Sequence, residues 1–198
     1  MAKIAILGRG RVGGSLGAAL AGAGHEVTSA GREPGAAARA AAGARFVVNA
    51  TPGDGSLERL SALRAELDGR ILIDVANATV DGPDGLPGAL RYPDGSLAER
   101  LQAALPGTRV VKTLNTMLYP VMTAPAALAT PPTAFLSGAD PEAKREVAGL
   151  LGDLGWRPDW ITDLGGIESA RAVEAAILFV PHVIRAQGLV PFAVSIAR

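Results

Sequence analysis

The sequence contains no cysteine, which excludes a disulfide framework and a thiolate metal site and fits a reducing compartment. It has two histidines, too few for a metal centre without thiolates. Neither sign of charge dominates: 19 basic residues balance 19 acidic ones, unlike the basic domain that a nucleic-acid binder usually shows. No 18-residue apolar run exists, and the longest candidate, from Ala175 to Val183, already holds Pro181 and His182. The N-terminal stretch does not read as an export signal, because Arg9 and Arg11 sit inside its apolar part rather than ahead of it. These absences predict a cytoplasmic protein with neither a nucleic-acid nor a membrane partner.

What is present is order. Lys3 to Leu7 is a short continuous apolar run, the pattern of a strand buried on both faces in a parallel sheet. Val12, Leu16, Ala19, Leu20 and Ala23 then recur at helical spacing, with Gly24 as the end of that helix. Further strands are expected over 26–30, 46–49, 70–75, 109–114 and 133–137. Helices are expected over 34–42, from a Ser56 cap through Leu57, Leu60, Leu63 and Leu67, from the capping box Ser96-Leu-Ala-Glu99, and from Asp140-Pro-Glu to Gly155. The Gly/Pro-rich segment 81–95 reads as a long loop.

Single helices alternating with strands predict an α/β fold: a doubly wound, mostly parallel Rossmann-type sheet with helices on both faces. From Ile167 to about Ile184 the chain reads as helical and apolar on most faces, hence buried in its own fold or in a partner's. The expected organisation is one domain over 1–198. Its dinucleotide-binding core covers 1–137, and the C-terminal helices and tail over 138–198 form a dimer.

Gly8-Arg9-Gly10-Arg11-Val12-Gly13 fits G-x-G-x-x-G and stands between the first strand and the first helix, the context that makes the pattern specific. Gly8 permits the tight turn, Gly10 lets a pyrophosphate approach the backbone, and Gly13 lets helix and strand pack closely. The free N–H groups of the helix favour the phosphate. At the end of the second strand an NAD-binding domain usually carries Asp or Glu for the ribose 2′-hydroxyl; here Ala30-Gly31-Arg32 stands instead. With no carboxylate there to repel a phosphate, Arg32 can pair with one bidentately and Arg9 can add a second charge, so NADP(H) is expected over NAD(H). The nicotinamide is expected at the carboxyl ends of the central strands, by Ala50-Thr51-Pro52, Asn77 and Asn115-Thr116.

Other conspicuous residues read as structural. His25 and His182 belong to a turn and a helix end, and Trp156 and Trp160 to the core or its rim. Lys112 lies within a strand, not on the helix where a hydroxyacid dehydrogenase carries its catalytic lysine. Arg171 and Glu174, three apart on a helix, read as a buried ion pair at a junction or dimer interface.

These motifs resemble the coenzyme F-420-dependent NADP oxidoreductases, whose dinucleotide domain is shared by the N-terminal part of transmembrane ferric reductases. The resemblance spans essentially the whole chain. It runs through Gly8–Gly13, Ala30-Gly-Arg32, Ile73-Asp-Val-Ala-Asn77 and Ser96-Leu-Ala-Glu99, then Val110-Val-Lys-Thr-Leu-Asn-Thr116 and Asp153-Leu-Gly-Trp156. It continues through Asp163-Leu-Gly and Ser169-Ala-Arg-Ala-Val-Glu174 to the ending over 188–198. The segment between Arg32 and Phe46 is shorter than in most relatives.

The resemblance implies direct hydride transfer between NADPH and a deazaflavin, in a homodimer, with no obligatory protein acid or base; no catalytic residue is therefore named. It also implies that Arg32 and Arg9 face the 2′-phosphate, Thr51 and Pro52 flank the ribose, and Asn115 and Thr116 approach the nicotinamide. Two other readings stay open: an NADPH-dependent reductase of a small carbonyl, imine or flavin, and a non-catalytic NADP(H)-binding or sensing module.

Overall fold

The computed structural model describes residues 1–197; the expected tail reaches Arg198, which lies outside the described residues. Along the chain run β1 (Lys3–Leu7), α1 (Arg11–Gly22), β2 (Glu26–Ala30), α2 (Ala36–Ala42) and β3 (Phe46–Asn49). Then come α3 (Ser56–Ser61), α4 (Arg64–Leu67), β4 (Ile71–Asp74), β5 (Thr79–Asp81), β6 (Pro87–Leu90), α5 (Leu97–Ala104) and β7 (Arg109–Lys112). The C-terminal part holds α6 (Tyr119–Thr123), β8 (Ala134–Leu136), α7 (Pro141–Asp153), β9 (Ile161–Asp163), α8 (Ala170–Ala175) and α9 (Val180–Gln187).

Among the described residues, β2-β1-β3-β4-β7 form a parallel five-stranded sheet in that order. Its strands are apolar runs because both faces are covered. Ile4 and Ile6 belong to a core shared with Leu16 and Leu20 of α1 and Val147, Leu150 and Leu151 of α7. Ala5 and Leu7, pointing the other way, belong to a second core with Ala40, Ala41, Leu60, Leu97 and Leu101. Only β2 alternates exposed with sheltered residues, as an edge strand can. The chain leaves β1 for β2 on one side and for β3 on the other, so the switch point lies between β1 and β3. Registers Leu7↔Ala30, Leu7↔Asn49, Asn49↔Asp74 and Asp74↔Lys112 bring all five carboxyl ends level.

Four local expectations are revised. The segment 81–95 is not all loop: β5 and β6 pair as an antiparallel hairpin, whose glycines, prolines and register shift hide any period of two. Residues 134–136 do not join the main sheet but pair with β9; an isolated bridge between Ser137 and Lys112 links this pair to β7. Ser56 does not cap its helix: Gly55 holds that place, and the Ser56 hydroxyl instead donates to the Pro52 carbonyl at 3.0 Å. The helix expected over 167–184 is broken into 3₁₀ turns around α8 and α9 and is only partly covered by this chain: Ala170, Val173 and Glu174 are buried, whereas Phe179 is 63% exposed and Leu189, beyond it, 69%. No helix among the described residues is long and apolar enough to cross a membrane.

Unlike Ser56, Ser96 does cap its helix, with the Glu99 carboxylate accepting the Ser96 hydroxyl at 2.8 Å, and Asp140 caps α7. Ser96 Oγ accepts the Glu99 N–H at 3.1 Å, and Asp140 accepts those of Glu142 and Ala143. Trp156 is a core residue whose indole N–H donates to the Met122 carbonyl at 3.0 Å. His25 ties the Ala2 N–H to Asp153 of α7.

Candidate functional site

The glycine turn is built by steric necessity. Gly8 has φ +109°, and a Cβ there would fall 2.4 Å from the Ala50 carbonyl oxygen. A Cβ on Gly13 would lie 2.0 Å from the Gly8 carbonyl oxygen, so strand and helix approach as closely as backbone permits. Gly10 differs: nothing lies within 4 Å of its missing Cβ. It precedes α1, which has no side-chain cap and no acid in its first turn. The result is an open, electropositive helix start at the sheet's switch point, and its shape fits a pyrophosphate.

The arginines diverge. Arg11 turns toward α6, its guanidinium 5.7 Å from the centroid of the Tyr119 ring, and Val12 packs partly into the core. Arg9 is engaged by the protein itself: Nη1 donates to Glu33 Oε1 at 2.8 Å, and Nε and Nη2 to the Ser29 carbonyl at 3.3 and 2.9 Å. A carboxylate therefore does stand at the end of β2, against the sequence reading, although it comes from one position beyond Arg32.

Arg32 lines a cavity of about 590 Å³ between the β2–α2 and β3–α3 connections, with Gly31, Thr51 and Pro52. Apolar walls come from Leu7 and Leu63. The shortened segment after Arg32 thus leaves a cavity of ligand size rather than closing it. Sequence reasoning missed its second cation, Arg59 on α3. The Arg59 guanidinium donates to the Pro52 carbonyl and, at 3.5 Å, to Thr51 Oγ1. Among the described residues neither Arg32 nor Arg59 forms an ion pair. A helical arginine eight residues beyond Thr51 carries no motif signal; only the fold brings it back.

The strand ends converge through buried polar groups. Asn49 accepts the Thr51 hydroxyl at 2.7 Å and donates to Asp74 Oδ1 at 2.8 Å, which fixes the Ala50-Thr51-Pro52 connection. A Cβ at Gly53 would fall 2.1 Å from the Asn77 carbonyl oxygen. Asn77 and Asn115 exchange two hydrogen bonds: Asn77 Nδ2 donates to the Asn115 carbonyl and Asn115 Nδ2 to Asn77 Oδ1, each at 2.9 Å. Leu114, at φ +57°, turns the backbone out of β7 for this contact, a conformation costing roughly 1–2 kcal/mol for a side-chain-bearing residue. Asn115 Nδ2 also donates to the Val173 carbonyl, while its Oδ1 is buried with no partner among the described residues. That free acceptor beside Thr116 fits a carboxamide donor. The Thr116 carbonyl itself accepts the Val194 N–H at 3.0 Å, strapping the tail across this loop.

Behind these ends lies a charge cluster that the sequence had distributed differently. Glu174 does not pair with Arg171. Arg171 makes a bidentate contact with Glu99 at the surface, and Glu174 reaches Lys112 at 3.0 Å. Lys112 Nζ also contacts Asp74 Oδ2 at 2.8 Å and donates to the Ala76 carbonyl. Burial opposes the Lys112 ammonium, but Asp74 and Glu174 outweigh it and raise its pKa above the ordinary lysine value. Glu174 also accepts the Leu97 and Ala98 N–H groups at the start of α5, so α8, α5, β4 and β7 share one network.

A glycine turn at the switch point, an electropositive helix start and an adjoining cavity with two unpaired guanidinium groups define a dinucleotide-binding oxidoreductase of the Rossmann type. No family model and no curated protein matches the sequence. Among solved structures, a candidate F-420-dependent NADP reductase from Arthrobacter sp. FB24 is 38% identical, with 100% of both chains covered and a TM-score of 0.91. A 3-hydroxyisobutyrate dehydrogenase from Mycobacterium tuberculosis shares the fold at 20% identity and TM-score 0.66; the match covers 94% of this chain and 62% of that one. A reductive aminase from Aspergillus terreus, solved with NADPH and ethyl levulinate, shares it at 18% identity and TM-score 0.62, covering 94% and 63%. The chain belongs to the F-420-dependent NADP oxidoreductase family.

Proposed function

We propose that this chain transfers a hydride between NADPH and a deazaflavin of the coenzyme F-420 type. The observation that carries the reading is the full-length, 38% identical likeness to the Arthrobacter protein. In this reading the pyrophosphate rests over Gly10 at the start of α1. The 2′-phosphorylated adenosine enters the cavity of Arg32 and Arg59, Ala50, Thr51 and Pro52 flank the ribose, and the carboxamide donates to Asn115 Oδ1 beside Asn77 and Thr116. The two cofactors supply the redox chemistry; the protein binds, orients and shelters them. The uncovered apolar residues Phe179, Leu189, Val190 and Ile196 suit burial against a second copy, making the enzyme a homodimer.

The test mixes purified protein with NADPH and oxidised F-420 and follows deazaflavin absorbance. Bleaching that depends on protein and both cofactors is expected. No bleaching, with turnover of riboflavin or an imine instead, would assign a different acceptor. NADPH binding without turnover of any acceptor would make the chain a binding module.

Arg32→Ala is expected to weaken NADPH binding by about 1.5–3 kcal/mol, or roughly tenfold to a hundredfold in Kd, and to spare NADH. Equal losses for the two nucleotides in a fluorescence titration would contradict a phosphate contact. Arg59→Ala should cost NADPH less, about 0.5–1.5 kcal/mol, because its guanidinium is partly engaged by Pro52 and Thr51. Unaltered NADPH affinity in that variant would remove Arg59 from the site.

A further inference from the structure

We propose that Arg9 sets NADP(H) selectivity indirectly, by neutralising Glu33 at the end of β2, rather than by holding the 2′-phosphate itself. The proposal rests on the NADP(H)-binding reading above. Glu33 folds back over the strand end: its Oε2 lies 2.6 Å from where a Cβ on Gly31 would stand, and Arg9 Cδ lies 3.3 Å from the same point. That is the place from which an acidic residue in an NAD-binding domain reaches the adenosine ribose. A bare carboxylate there would repel a phosphate monoester and accept a ribose hydroxyl, so it would favour NADH. This chain nonetheless keeps a glutamate in the wall of the Arg32 cavity.

The geometry of Arg9 explains how both can be true. Its fork is oriented by two hydrogen bonds to the Ser29 carbonyl, and the remaining Nη1 is committed to Glu33. Glu33 stays ionised, held below the usual carboxylate range by its own backbone N–H first and by Arg9 next. The pair cancels locally, leaving the unpaired guanidinium groups of Arg32 and Arg59 to set the potential of the cavity. Removing Arg9 would unmask a negative charge beside the phosphate position and take no direct ligand away.

Four full-length proteins separate the two roles: the parent chain, Arg9→Gln, Glu33→Gln and the double variant. Each is titrated with NADPH and NADH at one low ionic strength, where exposed charges are least screened. Arg9→Gln is expected to lower the NADPH-to-NADH affinity ratio roughly tenfold, the size of an unmasked charge a few ångströms away in a largely aqueous setting. Glu33→Gln should raise that ratio, and the double variant should return it to within about twofold of the parent, as coupled neighbours do. A double variant as impaired as Arg9→Gln would overturn the proposal and make Arg9 a direct phosphate ligand. Equal loss of both nucleotides in Arg9→Gln would overturn it too, by pointing to a distorted glycine turn. If the parent chain bound neither nucleotide, the underlying NADP(H) reading would fail instead, a result distinct from both.

Discussion

Replacing Lys112 by methionine is expected to lower the unfolding free energy by about 3–5 kcal/mol, because it leaves two buried carboxylates without their cation. Lys112 and Asp74 are both 0% exposed, and Glu174 is 3% exposed. Their remaining oxygens and protons are matched: Asp74 Oδ1 accepts from Asn49 and from the Ala76 N–H, and Glu174 from two N–H groups of α5. Such a cluster contributes little net stability over an apolar replacement, yet breaking one member is costly. Adding Glu174→Gln and Asp74→Asn to Lys112→Met should therefore recover part of the loss. Urea denaturation at neutral pH measures both. A loss below about 1 kcal/mol in Lys112→Met would mean that water reaches the cluster and relieves the stranded charges. Because the folded Lys112 pKa is raised, its contribution is complete below the unfolded lysine value of about 10.4 and disappears only as pH rises through the folded one.

The same cluster shows where sequence reasoning stops. Strands buried on both faces are legible because composition alone marks them: β1 and β3 are built on the apolar runs 4–7 and 46–48. The capping residues Ser96 and Asp140 are legible because a cap is a local bond between neighbours in sequence. Lys112, Asp74 and Glu174 are 38 and 62 positions apart, and periodicity says nothing about which buried charges meet. Arg171 and Glu174 share a short helix, so spacing paired them, while the fold sends one outward to Glu99 and the other inward. In the candidate site the glycine turn could be read directly, because its spacing falls between the first strand and the first helix; Gly8 and Gly13 answer steric demands there, while Gly10 leaves the helix start open. Arg59 and the fold-back of Glu33 could not, since both depend on how two connections face each other across a cavity. The hairpin of β5 and β6 was hidden for a third reason: its glycines and prolines serve the turn and bulge and dilute the alternation that marks a strand.

Gly10→Val is expected to abolish binding of NADPH and NADH alike, by more than about a hundredfold in Kd, in a protein that still folds. Gly10 has φ −73° and ψ −171°, extended backbone that any residue adopts, and no atom of the chain lies within 4 Å of its missing Cβ. The substitution should therefore cost less than about 1 kcal/mol in stability, the scale of a poor N-cap residue on an exposed turn. Its isopropyl group would occupy the space over the start of α1, where the proposed pyrophosphate needs direct approach to backbone N–H groups. Gly13→Val supplies the contrast. Its Cβ would collide with the Gly8 carbonyl, so it should lose the turn itself and melt early as well as fail to bind. A thermal melt paired with a nucleotide titration distinguishes these cases. Retained nucleotide affinity in a well-folded Gly10→Val protein would place the pyrophosphate away from the glycine turn. The assignment of the adenosine cavity and of Asn115, which depends on a dinucleotide running between them across that turn, would then have to be abandoned.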